Sequence, residues 1–352
     1  MTDVEAARER YNWLVLFRQY DERNKGYIPL GELRRRVQAA GEAAGLSSAE
    51  RERLLAGADR NGDRLVDFPE FCFMMAKAKR MRARHVMFRA AQAVVAKPLR
   101  EEEFSYLQQY NCLLPPLFMI CITVIQAAIY VYYVVTMKAS ISISGPVPTQ
   151  SPFIYNPYRR IELWRFLTYM FIHIGIYHMV FNALTQLALG IPLELVHKPW
   201  RVGTVYLLGV IAGSLAVSVV DQNVYLAGAS GGVYALIAAH VANVLVNWNE
   251  MEFAICRTVF LTILIGIDFS VAIYNRYFDS TAKATDSQVS HVAHLGGFVA
   301  GLLMGIVVLR NFRKHAWERV VWWIALVGFL VLAVLCVAWN LLMTEAYPQQ
   351  QI

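Results

Sequence analysis

Charge is scarce in this sequence. Of its 352 residues only 17% are Asp, Glu, Lys or Arg, whereas 57% are apolar. A soluble domain ordinarily carries about 25% charged and about 45–50% apolar residues. The shortage is local: residues 1–110 hold 20 Lys/Arg and 16 Asp/Glu, and the rest of the chain only 13 and 10. Such a split excludes a wholly soluble enzyme, a disordered chain and, despite the net charge of +7, a nucleic-acid binder. It describes a polar head followed by a membrane-embedded body. Cysteine is sparse too. The five cysteines are odd in number and share no close spacing, which speaks against a disulfide framework or a cysteine metal cluster. Nor does the start, MTDVEAARERYNW, have the apolar stretch of a signal peptide. The head is therefore expected in the cytosol, with the first membrane helix as an internal signal anchor.

Long apolar runs fill the body. Seven stretches approach the roughly 20 helical residues that cross a bilayer, near 113–136, 169–191, 203–220, 226–246, 254–274, 289–309 and 320–342. The second carries His173, His178, Asn182 and Gln186, and polar groups inside lipid are costly enough to be functional suspects. Basic residues fall before the first run (Lys77 to Arg100, with no acid from 76 to 100), between the second and third (Lys198, Arg201) and between the sixth and seventh (Arg310 to Arg319). The positive-inside rule places these in the cytosol. The tail after the seventh run has no Lys or Arg, which fits an outside C-terminus. Arg159, Arg160 and Arg165 run against the rule, so their loop is expected to be structured.

Three segments carry chemistry. In GASGGVYAL, Ser230 opens a membrane helix among Gly228, Ala229, Gly231 and Gly232, which leaves room for a substrate backbone beside its hydroxyl. Backbone N–H groups at a helix start also stabilise developing negative charge. The bland reading is a helix cap or packing serine, because an activated serine needs a base. In HVAHLGGFVAG, His294 precedes Gly297 by three residues and so shares the face of Gly297, Gly301 and Gly305, where backbones can approach closely. Its neutral imidazole can take the serine proton; the bland reading is an interhelical hydrogen bond. In HIGIYHMVFN, His178 and Asn182 stand four residues apart on one helix face, able either to bind a tetrahedral oxyanion or to glue helices together. Jointly the three favour acyl transfer.

These segments, with WRFLTYMF leading into the second run, resemble the rhomboid intramembrane serine proteases, in motif order and over residues 110–345. The resemblance implies an all-α, polytopic bundle of seven transmembrane helices (six plus one at the C-terminus). It implies a Ser–His dyad with Ser230 as nucleophile and His294 as general base, no catalytic cofactor, and His178 and Asn182 in the oxyanion hole. Trp164 and Arg165 would form the structural pair of the first outside loop, Tyr234 would pack against the catalytic histidine, and Glu194 would be a structural acid. Substrates would be single-pass membrane proteins, cut in or near their membrane segment to release ectodomains such as EGF-type growth-factor precursors. The expected compartment is the plasma membrane or Golgi. Inactive relatives usually lack the serine or histidine or place a proline beside the serine; Ser230 follows Ala229 and His294 is present. A non-catalytic client-binding protein is the alternative. A calcium-gated transporter would need an acid-lined path or an inverted repeat, and neither is found in the sequence. Asp268 in the fifth run is read as structural or near the substrate gate.

The head holds two twelve-residue windows, DERNKGYIPLGE (21–32) and DRNGDRLVDFPE (59–70), laid out like paired EF-hand loops with ligands at positions 1, 3, 5, 7, 9 and 12. The second offers Asp59, Asn61, Asp63, the Leu65 carbonyl, Asp67 and Glu70 to Ca2+; Arg64 stands where Gly is expected, at a cost of about 1–2 kcal/mol for a left-handed residue. The first keeps Asp21 and Glu32 but has Arg23 and Lys25 among its ligand positions, so it is read as a structural partner that does not bind. The pairing of such a head with a rhomboid core resembles the EF-hand subgroup of animal rhomboids and implies regulation by calcium. The chain thus divides into a paired EF-hand-like domain (1–75), a basic juxtamembrane linker (76–110) suited to anionic lipids or to setting topology, the protease-like domain (111–345) and a short tail (346–352).

Overall fold

The computed structural model describes residues 3–21, 25–43, 48–92, 116–138, 145–146, 148–246, 248, 254–277, 291–309 and 316–350. It divides into two compact units, Met1–Phe88 and Arg89–Ile352.

The first unit contains helices α1 (Asp3–Tyr20), α2 (Leu30–Ala43), α3 (Ser48–Leu55) and α4 (Phe68–Gln92), with short strands β1 (Tyr27–Pro29) and β2 (Leu65–Asp67). The strands pair antiparallel, Ile28 opposite Val66, and are a small departure from the all-α expectation. They tie the two calcium-type loops back to back. Phe17, Ile28, Leu33, Leu55, Val66 and Phe71 form the core, and the Phe17 ring meets Phe68 and Phe71 edge-on at 5.5 and 5.4 Å. Helix α4 runs on without a break past residue 75, so the first half of the basic segment continues the exit helix of the second loop. Residues 93–115 lie outside the described residues.

The second unit is a helix bundle: α5 (Leu117–Thr136), α6 (Ile176–His197), α7 (Pro199–Val220), α8 (Ser230–Val246), α9 (Ala254–Tyr277), α10 (His291–Val308) and α11 (Ala316–Leu342). Among the described residues five helices are long and apolar enough to cross a membrane: α5, α6, α7, α10 and α11 from Trp317. The apolar stretches of α8 and α9 are shorter, so the expected count of seven spans rests on the sequence. The second helix starts later than expected. Tyr169–Phe171 forms a 3-10 turn, and the α-helix begins only at Ile176, after Gly175.

Helix α8 lies at the centre. Gly231 through Ala239 are all buried, as expected of a helix that is apolar all round. Its 17 residues span only about 25 Å, short of the roughly 30 Å of hydrocarbon. Helix α10 packs along it through glycines: a Cβ at Gly297 would collide with the Gly231 carbonyl, and one at Gly301 with the Ala235 backbone. Because no side chain intervenes, the two backbones come close enough to bring their first turns face to face.

Candidate active site

Ser230 is the first residue of α8 and remains partly accessible. The extended segment before it is held in place from two sides. Leu226 exchanges two backbone hydrogen bonds with Tyr155, both 3.1 Å, and the Gly228 N–H donates to the Tyr169 carbonyl at 3.1 Å. The first amides of a helix have no acceptor within it, so the Ser230 end presents N–H donors next to the hydroxyl. Tyr234 follows one turn later on the same face. Its ring lies flat against the His294 imidazole, with centroids 4.3 Å and planes 11° apart. His294 is 3% exposed and lies in the first turn of α10, three residues ahead of Gly297, whose backbone faces the Gly231 carbonyl. The stack and the glycine contact together place His294 over the first turn of α8, where Ser230 begins. His291 meets His294 edge-on at 5.7 Å, further toward the start of α10.

His178 approaches from α6. A Cβ on Gly228 would lie 2.6 Å from its Cε1 and 2.8 Å from its Nε2, so the imidazole sits directly against the backbone two residues before Ser230. Gly228 also has φ +121°, open to glycine alone at little cost. His178 Nε2 is buried with no hydrogen-bond partner among the described residues. The His173 ring lies edge-on to that of His178, with centroids 5.3 Å apart. Asn182, 3% exposed, turns back along its own helix: its Nδ2 donates to the His178 carbonyl at 2.9 Å. The structure therefore brings His178 to the serine's approach and puts one donor of Asn182 on the backbone behind it.

The second loop of the head has the expected backbone. Arg64 takes φ +62°, the left-handed turn that a glycine would otherwise make. Asp59 accepts the Gly62 and Arg64 amides at 2.7 and 3.0 Å, and Glu70 accepts those of Arg60 and Asn61 at 2.8 and 3.3 Å. Asn61 and Asp63 hold each other through the Asn61 amide, at 2.9 Å. The donors are all oxygens on a preformed turn, which suits a hard cation such as Ca2+, although no three His, Cys, Asp or Glu groups are gathered as for a metal among the described residues. In the first loop Asp21 accepts the Lys25 and Gly26 amides, while Glu32 pairs with Arg36 at 3.3 Å instead of turning inward.

Comparison with known proteins matches residues 160–311 to the Rhomboid domain and residues 11–76 to an EF-hand domain pair. The chain is 38% identical to inactive rhomboid-related protein 2 of Caenorhabditis elegans, over 94% of this chain and 93% of that protein. It is 35% identical to human rhomboid-related protein 3, over 94% and 87%. To mouse rhomboid-related protein 2 it is 40% identical, over 75% and 87%. The chain belongs to the rhomboid family. It is a multi-pass membrane rhomboid with an EF-hand pair ahead of its helical body.

In this rhomboid the loop before α6 is built on Arg165. Its guanidinium is 4% exposed, binds Glu162 at 2.6 Å and donates to the Ser151 and Ile154 carbonyls at 2.8 Å each. That accounts for a cation the loop-charge rule had misplaced. Trp164, 55% exposed, donates from its indole to the Pro152 carbonyl at 3.2 Å. Glu194, 1% exposed, accepts the Phe118 and Met119 amides at 3.0 and 3.3 Å and so caps the start of α5. The side chain of Asp268 lies outside the described residues.

Two features escape a reading of the motifs. Tyr169 fastens three pieces, donating from its hydroxyl to the Val210 carbonyl at 2.8 Å, accepting Gly228 with its own carbonyl and filling the space beside Gly231. Gln126, fully buried on α5, donates to the Met170 carbonyl and to Tyr206, and accepts Gln186, at 2.7–3.2 Å. A lone Gln in an apolar run was the available signal.

Proposed function

We propose that this rhomboid is an intramembrane serine endopeptidase. It cleaves single-pass membrane proteins in or near their membrane segment and releases ectodomains, with EGF-type growth-factor precursors as the substrate class. The observation that carries this reading is the Tyr234–His294 stack one turn from Ser230, with both members of the dyad present. Ser230 Oγ attacks the scissile carbonyl while His294 takes its proton. The oxyanion receives hydrogen bonds from the Ser230 amide and from His178, whose Nε2 is otherwise unpartnered among the described residues. His294 then protonates the leaving amine, and the same imidazole activates the water that hydrolyses the acyl-enzyme. Burial of His294 between α8 and α10 keeps bulk water from competing for that proton.

In this proposal the N-terminus is cytosolic, the protein resides at the plasma membrane or Golgi, and the basic segment 76–100 meets anionic lipid. Ca2+ at Asp59, Asn61, Asp63, Leu65, Asp67 and Glu70 modulates the activity of the body. The test is cleavage of a tagged type I membrane reporter by wild type, Ser230→Ala and His294→Ala, each with and without calcium. Activity lost in both variants and altered by calcium supports the reading, and cleavage that survives both sinks it.

A second reading is a non-catalytic client-binding membrane protein. It is favoured by the likeness to the nematode relative, which is named an inactive rhomboid-related protein. A wild type that captures client proteins but takes no fluorophosphonate label on Ser230 would establish it instead.

A further inference from the structure

The contacts of the C-terminal tail are not used by the chemistry above, yet they lead back to it. After α11 the chain makes a 3-10 turn at Thr344–Ala346 and then lies against the loop that precedes Trp164. Gln350 Oε1 accepts the Arg160 backbone N–H at 2.8 Å, and its Nε2 donates to the Pro157 carbonyl at 3.1 Å. The Arg160 guanidinium covers the Tyr347 ring, 3.3 Å from its centroid, and donates to the backbone and side-chain oxygens of Asn340 at 3.4 and 3.1 Å. Asn340 in turn donates to Ser218 near the end of α7 at 2.8 Å. Loop, tail, α11 and α7 therefore meet around one guanidinium. Tyr347 is 8% exposed and its hydroxyl has no hydrogen-bond partner among the described residues. Burial pushes its phenol up, against the opposing charge of Arg160, so the ring binds as a neutral aromatic.

The same loop supports the chain leading to Ser230. Tyr155, five residues before Arg160, makes the backbone pair with Leu226, four residues before Ser230. A single bridge of this kind belongs to no longer strand and needs its flanks held from outside. We infer that residues 344–350 are a positioning strap for the proposed active site, in which Arg160, Tyr347 and Gln350 hold the loop so that the Tyr155–Leu226 pair fixes the approach to Ser230. Its kinetic consequence rests on the protease reading; its structural consequence does not.

The test uses full-length protein in lipid nanodiscs, with hydrogen exchange read by mass spectrometry. The variants are a chain ending at Ala346, Tyr347→Ala and Tyr347→Phe. Exchange at the Tyr155 and Leu226 amides should rise at least ten-fold in the first two and stay at the wild-type rate in Tyr347→Phe, with α8 and α10 unchanged. Reporter kcat should fall at least five-fold in Tyr347→Ala at constant KM and recover in Tyr347→Phe. Unchanged exchange at both amides on tail removal overturns the strap. So does a rise spread equally over α8 and α10, which marks general loss of fold. Raised exchange with kcat intact overturns the positioning role. If wild type cleaves no reporter, the protease reading fails while the exchange result still decides the strap.

Discussion

The Tyr234 ring lies nearly parallel to the His294 imidazole at a centroid distance of 4.3 Å, and this contact fixes the plane of the proposed base one turn from Ser230. A flat partner fixes the plane of an imidazole through its face, without hydrogen-bonding to a ring nitrogen. Burial of such a pair contributes about 0.5–1.5 kcal/mol beyond area alone.

Replacing Tyr234 separates these effects. Tyr234→Phe keeps the stack and should retain wild-type reporter cleavage, whereas Tyr234→Ala should lower kcat by about two- to ten-fold, in line with the stacking energy. Steady-state cleavage in proteoliposomes measures both. Equal loss in the two variants would mean that the hydroxyl, not the ring, matters.

Removing His178 tests the oxyanion assignment. His178→Ala should cut kcat by about 10²–10³-fold, the usual effect of one oxyanion donor. Asn182→Ala should cost less, because its Nδ2 donates to the His178 carbonyl. A fluorophosphonate labelling rate on Ser230 gives the ordering independently of any protein substrate.

Gly297 should not tolerate even alanine. The added Cβ meets the Gly231 carbonyl, which is backbone and cannot swing aside. Gly297→Ala is expected to destabilise the body by about 1–3 kcal/mol through overpacking, read as a lowered Tm in detergent. Gly266→Ala, where a Cβ meets nothing within 4 Å, is the matched control and should leave Tm unchanged.

Glu194→Ala should cost about 1–3 kcal/mol, because it strips the Phe118 and Met119 amides of their acceptor. Glu194→Gln keeps one acceptor oxygen and should lose less. Thermal unfolding of the two variants side by side checks the order.

Calcium titration of the full chain should find one site. Glu70 turns into its loop, while Glu32 pairs with Arg36 outside the other. Glu70→Gln should therefore abolish binding in isothermal titration and Glu32→Gln should leave it unchanged. Two sites of similar affinity would overturn the reading of the first loop as a partner only.

The sequence was legible where physics is local. Apolar length placed the five helices long enough to span a membrane among the described residues, the glycine repeat of Gly297, Gly301 and Gly305 marked the tightest contact, and the spacing of Asp59 to Glu70 gave the loop its turn at Arg64. Hydropathy starts the second helix seven residues early, at 169 and not 176, because it does not distinguish a 3-10 turn buried in the bundle from the helix it precedes. The roles of Gln126 and Tyr169 are illegible locally for a related reason: each acts on carbonyls at least 40 residues away.

By itself the sequence determined the order of helices, the presence of Ser230 and His294 on two of them, and the oxygen-bearing side chains of the head's second loop, since these depend on composition and short-range period. Only the tertiary structure decided that Tyr234 faces His294, that His178 presses on Gly228, that Glu194 caps α5, and that Gln350 reaches Arg160 across 190 residues. Each of these is a contact between distant segments. What selects it is the close approach of packed backbones and the demand of buried polar groups for partners, which exist only once the helices have come together.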